Sequence, residues 1–109
     1  MSDEEADALG ARLAACPKFR PLPGLRDMQG RTWEQSLLWR WTPSIDRPDL
    51  REPATKGIVL ALVREAWGDS QIYVAGRGLW DVFTGHDVEI VQDRYTEEEA
   101  LVSALEAAP

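Results

Sequence analysis

Few residues in this chain are equipped for chemistry. It has one histidine, His86, and one cysteine, Cys16. A single histidine excludes metal sites built on two or more imidazoles. A single cysteine excludes an intrachain disulfide and a thiolate zinc cage. His86 with a remote serine and aspartate would make an acyl-transfer triad. Its neighbour Asp87 is a poor partner, because adjacent residues of an extended chain point to opposite sides. Thr84-Gly85-His86-Asp87 reads instead as a turn. Cys16 with His86 would make a thiol dyad, but Cys16 falls on the apolar stripe of a helix, where cysteine behaves as a small core residue. There is no G-x-x-x-x-G-K-[ST] phosphate loop, and Gly76-Arg77-Gly78 lacks the third glycine of the dinucleotide fingerprint, so it reads as a hairpin loop. The 19 Asp and Glu supply carboxylates for acid–base work or magnesium, but their number alone points to no site. The expectation is a non-enzymatic chain without cofactor or metal.

Chemistry between macromolecules is better represented. Five tryptophans are many for 109 residues. Trp67 and Trp80 fit a core. Trp33, Trp39 and Trp41 alternate beside Arg31 and Arg40, a pattern that suits a strand over the back of a sheet, a protein-interface anchor, or a platform for single-stranded bases. The formal net charge of −7 argues against direct nucleic-acid binding and against anionic membranes. The charge is uneven: −4 over residues 1–11, +4 over 12–56 and −7 over 57–109. Asp87, Glu89, Asp93, Glu97, Glu98 and Glu99 therefore form a candidate acidic face that imitates a phosphate backbone or meets a basic groove, with Trp39 and Trp41 as candidate apolar anchors.

The elements that must position these residues follow from spacing and caps. Ser2 with Glu5 is a capping box, and Ala6, Leu9, Leu13 and Cys16 make one stripe, predicting a helix over Asp3–Cys16 that Pro17 ends. Residues 17–31 carry Pro17, Pro21, Pro23, Gly24 and Gly30 and read as a loop with a short strand at Leu25–Gln29. Trp33, Leu37, Trp39 and Trp41 predict a strand over Thr32–Trp41. Pro53 at the first turn, a broad apolar face from Ile58 to Trp67 and Gly68 predict a second helix over Pro53–Trp67.

Three short strands are expected next, Gln71–Ala75, Leu79–Thr84 and Val88–Gln92, with Ile72, Val74, Trp80, Val82, Val88 and Ile90 on one face. The other face carries Tyr73, Leu79, Phe83 and Val91 beside Asp81 and Glu89. It is apolar enough to require a cover, for which the first helix and the Trp-rich segment are available. Thr96 with Glu99 caps a last helix over Glu97–Ala107. The predicted fold is α+β, a small antiparallel β-meander packed by helices, in the order α-β-α-β-β-β-α.

A chain of 109 residues that is 44% hydrophobic and 28% charged reads as one globular domain, with residues 1–52 forming a helix plus extended segment and 53–109 a helix–three strands–helix core. The acidic start does not resemble a secretory signal, and the longest apolar run, Ile58–Val63, is far short of a membrane span, so a cytoplasmic location is expected. Pro53–Asp69 and Thr96–Ala108, with the small Trp80-containing sheet between them, resemble the phage ABA sandwich domain of short phage and prophage proteins, over roughly residues 50–108. The resemblance implies an α/β sandwich and a phage context, and it carries over no catalytic residues.

Small size, acidity and that resemblance point to a protein that binds and blocks a host protein, a nucleic-acid-handling one among the candidates, in the manner of an anti-CRISPR inhibitor. The alternative is an assembly module, self-associating as a homodimer through Trp39, Trp41 and the back of the sheet. An enzyme using His86 ranks lower. A double-stranded-RNA binder ranks last, because its last helix would need a basic surface and this one is acidic.

Overall fold

The computed structural model describes residues 1–34, 40–42 and 45–109. Their elements are α1 (Asp3–Ala15), α2 (Pro53–Trp67), β1 (Tyr73–Arg77), β2 (Leu79–Phe83), β3 (Glu89–Arg94) and α3 (Glu97–Glu106). The fold is α+β, as expected, in the order α-α-β-β-β-α. The expected strand over Thr32–Trp41 is not among these elements. Thr32 makes an isolated bridge with Arg26, Arg40 and Trp41 lie outside any strand, and positions 35–39, Trp39 included, are outside the described residues. The short strand expected at Leu25–Gln29 is likewise reduced to isolated bridges, Arg26 with Thr32 and Asp27 with Pro48.

The helix ends follow their caps. Ser2 Oγ accepts from the Glu5 N–H at 3.1 Å, and Thr96 Oγ1 from the Glu99 N–H at 3.1 Å. Each bond satisfies a donor that the first helical turn leaves open. Pro53 starts α2, and Gly68 closes it in the left-handed region at φ 64°. Residues 100–105 of α3 are all buried, so this helix has no wet side through its middle. It packs against all three strands on one side and against α1 and α2 on others. Leu62 and Val63 of α2, Leu13 of α1 and Leu101 and Leu105 of α3 join Ile72, Val82 and Val91 in one core.

The sheet is an antiparallel meander, β1-β2-β3. β1 runs two residues later than expected, because Gly76 and Arg77 stay paired with Trp80 and Leu79 and only Gly78 turns, at φ 86°. Gly76 is required there: a Cβ would sit 2.9 Å from the Trp80 ring that lies across it.

The expected face of β3 holds for Ile90, which packs against the core, and is overturned for Val88 and Val91. Val82 pairs with Val91, which is buried, whereas Val88 is 60% exposed. The cause is a pair of register shifts between β2 and β3, with Asp93 at φ 59° beside one of them. One extra residue in a strand exchanges its faces, and alternation alone does not signal it.

Of the two expected covers, the Trp-rich segment lies at residues 35–39 outside the described residues, and the first helix is overturned. α1 packs on α3, away from the outward face of the sheet. Its close approach to the 47–48 backbone depends on Gly10, where a Cβ would lie 2.5 Å from the Pro48 carbonyl oxygen.

The segment between α1 and α2 is ordered by buried carboxylates. Asp27 Oδ1 accepts from the N–H groups of Gln29 (3.0 Å) and Arg31 (2.8 Å), and its Oδ2 accepts from Arg31 Nε (2.7 Å). Arg31 continues to Asp46 (3.0 Å), whose other oxygen takes the Thr42 N–H. Thr55, fully buried on α2, accepts from the Arg26 N–H and donates to the Arg26 carbonyl. These bonds supplement short backbone pairings, Trp33 N–H to the Leu25 carbonyl (2.7 Å) and Asp49 N–H to the Arg26 carbonyl (2.9 Å), in a stretch whose prolines interrupt a longer ladder. Among the described residues no helix is long and apolar enough to cross a membrane.

Candidate functional site

The outward face of the sheet carries Tyr73, Ala75 and Arg77 from β1, Leu79, Asp81 and Phe83 from β2, and Glu89 from β3. Alternation along β1 and β2 dictates this set, because Ile72, Val74, Trp80 and Val82 occupy the core side. Tyr73 and Phe83 are register partners, and their rings stack with centroids 5.3 Å apart and planes 19° apart. Tyr73 and Leu79 are exposed although large and apolar. No described element packs over them.

Carboxylates rim this aromatic centre. The Tyr73 hydroxyl donates to Asp87 Oδ1 at 2.7 Å. That bond favours the neutral phenol and raises its pKa, with desolvation and the Asp87 charge adding to the effect and Arg77 opposing it. Glu89 is the register partner of Phe83. Asp81 Oδ1 accepts from the Asp93 N–H at 2.9 Å across the irregular pairing of β2 with β3. Asp87 and Asp93 both take left-handed backbone, at φ 60° and 59°, which aspartate tolerates better than most residues. The turn that presents Asp87 is tied down from α2's end. Asp69 accepts the N–H groups of Gly85 (2.8 Å) and Gln71 (2.9 Å), and these bonds lower its pKa.

Ion pairing separates two kinds of acid. Arg12 pairs with Glu106 at 2.6 Å and Glu99 at 3.9 Å, and Lys56 pairs with Glu98 at 3.4 Å and Glu97 at 4.0 Å. The run Glu97–Glu99 is thus divided between α2 and α1 and is partly neutralised inside the fold. The basic middle of the chain is spent the same way. Arg20 meets Glu65, Arg31 meets Asp27 and Asp46, and Arg51 meets Asp49 and Asp3. Among the described residues Asp81, Asp87, Glu89 and Asp93 make no ion pair.

Of the residues singled out in the sequence, the structure therefore brings Asp87, Glu89 and Asp93 together around one face and sets Glu97, Glu98 and Glu99 apart from them. Trp41 is half-buried with its ring 5.7 Å from Phe19, in the segment that follows α1, and not with the acids. Trp39 is outside the described residues. Tyr73, Leu79 and Phe83 were legible as a back face but were expected to be covered. Asp27, Asp46 and Asp49 were missed as buried groups; the spacings Asp27-x-x-x-Arg31 and Asp49-x-Arg51 were the available signal.

His86 is exposed in the β2–β3 turn, with its N–H on Thr84 Oγ1. Cys16 is buried at the end of α1 and lines a shallow cavity of about 370 Å³ with Arg12, Lys18 and Glu106. The two share no cavity, so the geometry offers no thiol dyad among the described residues. Nor does any group of three His, Cys, Asp or Glu among them converge as a metal site would require. What this arrangement can do is bind: an apolar aromatic surface gives area, and unpaired carboxylates around it give sign and orientation. Compared with known families, with curated proteins and with solved structures, the chain matches none.

Proposed function

We propose that this chain is a non-catalytic binding protein that docks on a basic surface of another protein and blocks it. The observation that carries the reading is the outward sheet face, where stacked Tyr73 and Phe83 lie among four acids that make no ion pair within the described fold and outnumber the one cation of the face, Arg77. Other acids of the described residues, Glu4, Asp7 and Glu52 among them, make no ion pair either; these four are set apart by the stacked aromatic pair beside them, which suits them to an external partner. The resemblance of residues 50–108 to the phage ABA sandwich domain gives the reading its context: a phage or prophage accessory protein acting on a host protein in the host cytoplasm. An anti-CRISPR-like block of a protein that holds nucleic acid is its most concrete form.

The test starts from affinity capture in the native host. Binding of the purified captured protein is then measured for wild type and for D87K/E89K at low and moderate salt. The expected result is affinity at least about tenfold weaker in the variant and falling with salt in the wild type. A partner that binds the variant equally well, with no salt dependence, would remove the reading.

A further inference from the structure

The outward sheet face also indicates which basic group it takes, and this inference rests on the binding-protein reading above. Lysine and arginine both satisfy a carboxylate, but only the planar guanidinium also stacks on an aromatic face and forks onto a carboxylate. The structure supplies both surfaces side by side. Tyr73 and Phe83 stack at 5.3 Å and 19°, Glu89 is the register partner of Phe83, and Asp87 holds the Tyr73 hydroxyl at 2.7 Å. The hydroxyl bond fixes the tyrosine ring, so the platform is organised before a ligand arrives. We propose that this face is a docking site for an arginine-bearing segment of a partner protein, with the guanidinium lying on the Tyr73–Phe83 pair and bonding Glu89 and Asp87. The occupant is a basic partner and not a second copy. An isologous pair through this face would bring together two patches that each carry Asp81, Asp87, Glu89 and Asp93 against the single cation Arg77.

The full chain is titrated with a nona-arginine peptide and, separately, with a nona-lysine peptide at low salt. Backbone amide shifts locate the contact and fluorescence anisotropy gives the affinity. The expected result is tighter binding of the arginine peptide, by about two- to fivefold for each guanidinium seated on the rings, with shifts centred on residues 73, 83, 87 and 89. F83L, which keeps an apolar surface but removes the ring, should bring the arginine peptide down to the lysine value. E89Q should weaken both peptides with the fold untouched. D7N, an equal change of charge on exposed α1, should leave both unchanged. Equal affinity for the two peptides, with shifts on the same face, overturns arginine selection and leaves the basic-partner reading standing. Shifts centred on Glu97–Glu99 overturn the site. Failure of both peptides to bind at low salt overturns the site and the reading together.

Discussion

The hydrogen bond from Tyr73 to Asp87 makes the outward face testable one residue at a time. It holds the phenol above its ordinary pKa, so the bond's contribution is complete below that ordinary value and is lost as pH rises through the raised one. Y95F leaves Tyr73 as the sole tyrosine. Its tyrosinate absorbance should then appear at higher pH than a free phenol's, and D87A should return it to the ordinary range. No change on D87A would mean that the bond does not form in solution. Asp27 makes a larger claim on stability, because its buried carboxylate organises Gln29, Arg31 and, through Arg31, Asp46. D27A should cost about 2–3 kcal/mol in chemical denaturation, since it takes a shared acceptor from the part-buried N–H groups of Gln29 and Arg31 and from the Arg31 guanidinium. Arg31 is itself 43% exposed at the side chain and can turn to water, which keeps the loss below that of a fully buried pair.

At the scale of elements, what was legible in the sequence was whatever local chemistry decides. Ser2, Thr96, Pro53 and Gly68 act within a few residues of where they stand, and the helices they bound were readable to within a residue or so at their ends. β3 was not readable in the same way. Its faces depend on extra residues in the pairing with β2, and Asp93 carries no mark in the sequence that separates a left-handed residue within a strand from an ordinary exposed acid. Of the Trp-rich segment only the ends compare with the expected strand, because residues 35–39 lie outside the described residues. At its start Trp33 exchanges backbone bonds with Gly24 and Leu25 and Thr32 bridges Arg26, a pairing too short to form a strand and one that alternation of tryptophans does not locate.

Docking between elements leaves its own sharp requirements. At Gly10 a methyl group meets the Pro48 carbonyl and at Gly85 it meets the Gln71 side chain, both at 2.5 Å. G10A should therefore destabilise by about 1–3 kcal/mol through displacement of α1 from the 47–48 backbone. A denaturation midpoint equal to wild type would mean that the contact is looser than described. Asp69 links α2's end to the β2–β3 turn, and its pKa is lowered by the Gly85 and Gln71 N–H groups. Its contribution is complete above the ordinary carboxylate pKa and is lost as pH falls through the depressed value. Amide exchange at Gly85 should accelerate across that acidic window, after correction for the intrinsic rate, and D69A should abolish the pH dependence.

For the whole molecule, the distribution of charge decides how it meets its own copies. The chain is compact, with a radius of gyration of 13.5 Å, and carries −7 overall. Arg12, Arg20, Arg31, Arg51 and Lys56 of the basic middle pair with acids of the fold, so the −7 is not evenly diluted. Asp81, Asp87, Glu89 and Asp93 stand unpaired around the exposed Tyr73 and Leu79. An exposed aromatic sheet face would ordinarily favour self-association, and like charge on the same face opposes it. The balance predicts a monomer at neutral pH and low salt, with a sedimentation coefficient that does not change with concentration. Removing the charge should release the apolar attraction: D87N/E89Q/D93N should sediment with a concentration-dependent coefficient, and adding F83S should restore the monomer. A wild-type dimer that F83S dissociates would show that the acids do not guard this face. The face would then serve the chain itself, as a self-associating module, and not a basic partner.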